Sequence, residues 1–126
     1  MTPTVYDAGV LVAADRNSRA VWADHRVRLE AGIVPVVPSP VIAQVSRSAQ
    51  QVQLRRLLLG CEITALTSEA ARAAGYLLGR AGSSDVVDAV VAHTAARLHA
   101  DVVTGDHADI AHLLGAAEAE VRIIDI

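Results

Sequence analysis

The sequence predicts an α/β fold, a three-layer α/β/α sandwich on a central, mostly parallel sheet. Two observations lead there. Short β-type runs alternate along the chain with longer segments of helical periodicity, an order that suits a parallel sheet covered on both faces. The 126 residues, 52% hydrophobic and 20% charged, are also enough to close around a core without a disulfide or structural metal. A single domain over residues 1–126 is expected.

TVYD, from Thr4, is a brief strand candidate, and the GVLVAA after it is helical. Residues 18–31 set Val21, Trp22, His25 and Leu29 at helical spacing, with Arg19, Arg26, Arg28 and Glu30 elsewhere on the helix and Gly32 as the stop. IVPVV is a second strand whose Pro35 suggests an edge position or a strand start. Ser39 then reads as an N-cap with Pro40 at the first helical position, so VIAQVSR is helical. QVQLRRLLL makes a further helix ending at Gly60, and EITAL is the third strand. Ser68 is expected to cap a helix through Leu78, with a turn-rich break from Gly79 to Ser84. Residues 85–99, DVVDAVVAHTAARLH, form a clear helix before the strand DVVTGD. A helix over 108–117 and the strand EVRIIDI close the chain, with no internal repeat.

Composition removes several function classes. The net charge is −3, and all eleven basic residues are Arg, so a uniformly basic nucleic-acid coat is excluded while a local basic patch is not. Phosphoacceptor receivers and haloacid-dehalogenase-type phosphatases need a lysine at the site, and this chain has none. No glycine-rich fingerprint follows a strand, which removes dinucleotide binding. The lone Cys61 reads as a buried free thiol. The first residues lack the basic and apolar regions of a signal peptide, and no apolar stretch approaches the roughly 18 residues that span a bilayer. A cytoplasmic protein that does not enter the membrane is expected.

The acids carry the chemistry. Asp7 ends the first strand, and Asp106 ends VVTGD. Asp85 and Asp88 open the helix before that strand, and Asp109 opens the helix after it. In a parallel sheet these positions can converge beyond the carboxyl ends of the strands, where such folds bind ligands. Carboxylates sharing so small a volume cannot all ionise unaided, because like charges raise one another's pKa. An oxygen-only donor set suits Mg²⁺ or Mn²⁺ rather than zinc. Each acid also has a structural reading: Asp85 and Asp88 suit a helix cap, and Asp106 and Asp109 suit a turn and cap. Asp7, between Val5-Tyr6 and an apolar helix, is the hardest to explain structurally.

TVYDAGVLVAA, PSPVIAQVSR and SSDVVDAVVAHTAARLHADVVTGDHADI, taken as an ordered set, resemble the PIN domain, most closely the ribonuclease toxins of VapBC-type toxin–antitoxin pairs. The resemblance covers nearly the whole chain. It implies metal-binding and catalytic roles for Asp7, Asp88 and Asp106, accessory metal acids at Asp85 and Asp109, and a supporting hydroxyl at Thr104. Most of the family has Glu where this chain has Gln44, which can coordinate through its amide oxygen but brings no charge. The implied cofactor is Mg²⁺ (or Mn²⁺), which lowers the pKa of a bound water for attack on an RNA phosphodiester. The implied function is a metal-dependent endoribonuclease, the toxin of such a pair, acting on structured RNA. The implied partners are RNA, a cognate antitoxin protein and a second copy in a homodimer. The alternative is a catalytically weak PIN-like domain that binds RNA or a partner, with Gln44 as its symptom.

Among the arginines, Arg16 and Arg47 are the RNA-binding candidates, since guanidinium neutralises phosphates and stacks on unpaired bases. Trp22, Tyr6 and Tyr76 are too few for a base-stacking platform, which favours recognition of a folded RNA by shape. His93 and His107 form no i, i+4 ligand pair and read as surface or packing residues. Apolar residues crowd the early helices at Val10, Leu11, Val12, Val21 and Trp22, and again from Val52 to Leu59. Part of that surface is expected to stay exposed as a groove for the antitoxin.

Overall fold

The computed structural model describes residues 1–126. Its elements are β1 (Thr4–Tyr6), α1 (Ala8–Asp15), α2 (Arg19–Glu30), β2 (Val36–Pro38), α3 (Ser39–Val45), α4 (Val52–Leu59), β3 (Glu62–Thr64), α5 (Ser68–Ala81), α6 (Val86–Leu98), β4 (Asp101–Thr104), α7 (His107–Ala116) and β5 (Ile123–Asp125). The strands form one sheet in the order β3-β2-β1-β4-β5. Every pairing is parallel, so the sheet is wholly rather than mostly parallel. Seven helices flank it, as the alternating pattern predicts.

Local chemistry accounts for the boundaries that differ from expectation. Ser39 is not an N-cap: α3 begins at it, Pro38 holds the cap position, and the Ser39 hydroxyl instead accepts from the Leu66 N–H at 3.3 Å. Thr67 rather than Ser68 caps α5, its hydroxyl accepting from the Ala70 N–H at 3.1 Å. That helix does not break at Gly79 but runs to Ala81, stopping where Gly82 takes the left-handed conformation at φ +66°. Pro35 lies just before β2, an interior strand, so its missing N–H costs no ladder bond, and its carbonyl accepts from Glu62 N at 2.8 Å.

The core is a cluster of 25 buried apolar residues, and without any Phe it is filled by Val, Leu, Ile and Ala around Tyr6. Helix α6 packs on β1, β2 and β4, and its inner face carries Ala89, Ala92 and Ala95, all fully buried. Those small side chains let the helix axis approach the sheet closely, and α5 and α7 then pack along it. Helix α1 meets α2, α3 and α4. Val10, Leu11, Val21, Leu54 and Leu57 are buried in the core rather than left as an outer groove. What stays open on this side is less: Trp22 and Val12 are half-buried, and Val52 and Leu59 are exposed.

Order of the strands fixes where the site lies. From β1 the chain steps to β2 and β3 on one side, then crosses to β4 and β5 on the other. The reversal falls between β1 and β4, the switch point at which open parallel sheets present a crevice beyond the strand ends. Cross-strand pairing of Tyr6 with Val103 sets Asp7 beside Thr104 at that edge.

Candidate metal centre

Asp7 follows β1 directly, and its backbone N–H continues the ladder to Val103 O at 3.0 Å. As N-cap of α1, it accepts the Ala8 N–H on Oδ1 at 2.6 Å. Its Oδ2 accepts the Thr104 hydroxyl at 2.5 Å. Thr104, fully buried, in turn accepts the Asp106 N–H on Oγ1 at 2.9 Å. One hydroxyl thus fastens the end of β1 to the turn after β4. Gly9 is needed where α1 presses on that turn: a Cβ built on it lies 3.2 Å from Gly105 N.

Asp88 comes from the opposite direction, in the first turn of α6. Asp85 caps that helix, accepting the Asp88 N–H at 2.9 Å, so its structural reading is met. Asp88 itself is buried, and its Oδ2 has no hydrogen-bond partner at all. Carboxylate oxygens of Asp88, Asp106 and Asp109 lie within 4.8 Å of one another. Asp7 and Asp85 are close enough to act on them electrostatically.

Burial pushes the Asp88 carboxyl up to about 7, with Asp7, Asp85, Asp106 and Asp109 adding repulsion in that order. Asp106 is also raised, first by lost hydration and then by the neighbouring Asp109. A buried, unpartnered carboxylate oxygen held among four further acids is costly unless a cation completes it. All the donors are oxygens, so the set fits a hard divalent ion of the Mg²⁺ or Mn²⁺ kind.

Gln44 shares a cavity with the two residues that follow Asp7. Exposed near the end of α3, it lines a cavity of about 400 Å³ together with Ala8, Gly9, Arg16 and Arg47. The two arginines read from the sequence therefore share one cavity next to the acids. His107 is turned outward to Asp125, 2.7 Å away, with both side chains exposed, and His93 is half-buried between α5 and α6. Gln51, which no spacing or motif singles out, makes four hydrogen bonds on the rim of the same cavity.

Residues 4–113 match the family model described as PIN domain. The chain belongs to the PIN domain family. The matched residues of this PIN domain include all five acids, Thr104 and Gln44, and leave outside the first three residues, the last turn of α7 and β5. No curated protein matches the sequence. Among solved structures, the PIN domain is similar to VapBC2 from Rickettsia felis bound to a promoter DNA fragment, at TM-score 0.68 and 16% identity, covering 98% of each chain. It is similar to DNA-bound VapBC from Salmonella typhimurium at TM-score 0.70 and 17% identity, covering 99% of this chain and 98% of that one. A toxin–antitoxin complex from Klebsiella pneumoniae follows at TM-score 0.67 and 18% identity, covering 86% and 90%. At these identities the likeness is one of fold.

Proposed function

We propose that this PIN domain is a metal-dependent endoribonuclease, the toxin of a VapBC-type toxin–antitoxin pair. One observation carries the reading: Asp88 Oδ2, buried without a partner, faces a cluster of acids at the switch point of the sheet. Catalytic and metal-holding roles fall to Asp7, Asp88 and Asp106, with Asp85 and Asp109 alongside as further metal acids. When bound, Mg²⁺ or Mn²⁺ supplies a Lewis acid for the phosphodiester and a water of lowered pKa.

The chain's own residues do the rest. Thr104 keeps one Asp7 oxygen and the Asp106 backbone in fixed relation, so neither carboxylate has to reorganise on binding. Asp88, whose carboxyl is pushed up to about 7 by burial, would give up its proton on holding a cation. Arg16 and Arg47, lining one cavity, offer guanidinium to a phosphate flanking the scissile bond.

The neighbouring folds come from complexes of toxins with antitoxins, which supports a protein antitoxin as partner here. A homodimer follows from the family resemblance. No helix is long and apolar enough to cross a membrane, in keeping with action on cytoplasmic RNA. Gln44 supports a second reading, a PIN domain that binds RNA or a partner with little cleavage, because it brings no charge to a position usually acidic.

Purified protein is expected to cut a structured RNA only with Mn²⁺ or Mg²⁺ present, and Asp7→Asn to lower the rate by about 10²-fold or more. RNA bound but uncut at saturating Mn²⁺ would select the second reading. Equal cutting by the Asp7→Asn protein would overturn the assignment of the site.

A further inference from the structure

The geometry points to a phosphate subsite in the cavity between α1 and the α3–α4 connection, with Gln51 as the residue that positions Arg47 in it. The subsite rests on the endoribonuclease reading and extends it to a residue outside the acid cluster. The cavity, of about 400 Å³, begins at Ala8 and Gly9, the two residues after Asp7. Gly9 also packs on Gly105, between Thr104 and Asp106. An RNA strand with its scissile phosphate over the acids therefore continues directly into this cavity, and a flanking phosphate falls between Arg16 and Arg47.

Charge supports that occupant. The protein has two ion pairs, His107–Asp125 and Arg122–Asp101, and neither cavity arginine belongs to one. The single acid in the lining, Asp15, has its Oδ2 engaged by the Gln51 amide at 3.1 Å. The guanidiniums are thus left for a ligand, and a phosphodiester is the anion a nuclease cleft receives.

Gln51 spends its whole hydrogen-bonding capacity on this wall. Its Nε2 donates to Asp15 Oδ2 and to Val45 O, both at 3.1 Å. Its Oε1 accepts the Arg47 N–H at 2.6 Å and the Ser48 N–H at 3.1 Å. An amide has two N–H groups and two acceptor sites, so all four are used. The effect is to tie the end of α1 and the end of α3 to the backbone of Arg47. The Arg47 side chain is steadied by a bond from Nη1 to Ser46 O at 2.8 Å. A loop already fixed in this way loses little further freedom when a phosphate arrives.

The test measures binding of a fluorescein-labelled RNA stem-loop by anisotropy across a KCl series, with every protein carrying Asp88→Asn so that the RNA stays intact. Arg47→Ala is expected to weaken binding about 5–10-fold and to lower the slope of log K against log salt by about 0.7–0.9, one phosphate contact. Gln51→Ala should show the same lowered slope. Adding Gln51→Ala to Arg47→Ala should then cost nothing further, since a residue acting only through Arg47 has no effect without it. Unchanged slope in Arg47→Ala, or additive losses in the double variant, overturns the subsite or the positioning role respectively. Because Arg47 is exposed, that variant tests the subsite even if Gln51→Ala unfolds. Metal-dependent cleavage by the parent protein is scored separately: cleavage with no Arg47 effect rejects the subsite alone. Absence of both cleavage and RNA binding rejects the endoribonuclease reading and the subsite together.

Discussion

Thr104 has one hydroxyl hydrogen and serves two partners, donating to Asp7 and accepting from the Asp106 backbone. Thr104→Val keeps the shape and removes both bonds, leaving a carboxylate oxygen and an N–H unsatisfied. It is expected to cost about 1–3 kcal/mol in a denaturant melt of the metal-free protein and to weaken Mn²⁺ binding, with Thr104→Ser restoring most of both. Asp88 makes a separate prediction in pH. Its folded pKa, about 7, lies above the ordinary 3.8, so between those values the folded state holds more of the proton than the unfolded chain does. The contribution of Asp88 to metal-free stability should therefore be full below about pH 4, fall as the pH rises toward 7, and level off above it. Asp88→Asn should flatten that slope in thermal melts, and saturating Mn²⁺ should oppose it in the parent protein. Of these residues, the acids were legible because a strand end or a first helical turn marks each of them. The Thr104 bridge was not, since it depends on which residue of a distant strand lies opposite. Gln51 was invisible for a similar reason: its partners lie on three separate segments.

Helix α5 shows what a sequence pattern conveys about an element and what it does not. Gly79 and the Gly82 that follows look alike in sequence, yet the first is inside the helix and the second ends it. Packing decides between them: Ala74 and Leu77 hold α5 to the core, and that anchoring carries the helix through a poor helix former. A Cβ at Gly79 meets nothing within 4 Å. Gly79→Ala is therefore expected to stabilise by about 0.5–1 kcal/mol, read as a higher urea midpoint with unchanged slope. A lower midpoint would mean that the helix is strained at that position. The alternation of strands and helices, and hence the layers, was legible throughout, because buried runs and amphipathic faces repeat with different periods. In the early helices the division was not legible: Val10, Leu11 and Val21 are buried while Val12 and Trp22 are only half-buried, and hydrophobicity alone does not tell an inner face from an uncovered one.

At the scale of the whole molecule, the sheet order was not legible. Nothing local says that β4 returns past β2 and β3 to lie against β1, yet that return brings the two ends of the acid cluster together. Its consequence lies in time. The bond from Thr104 to Asp7 closes a contact between residues 97 positions apart. At ribosomal speeds of about 5–20 residues per second, roughly 5–20 s separate the synthesis of one partner from that of the other. Throughout that interval the growing chain carries Asp7 without Thr104, Asp106 or Asp109, and so without the cluster. If the endoribonuclease proposed above is correct, a nascent chain of this design spares the RNA that encodes it and the ribosome making it. The acid cluster exists only when the last third has been made and β4 has docked beside β1.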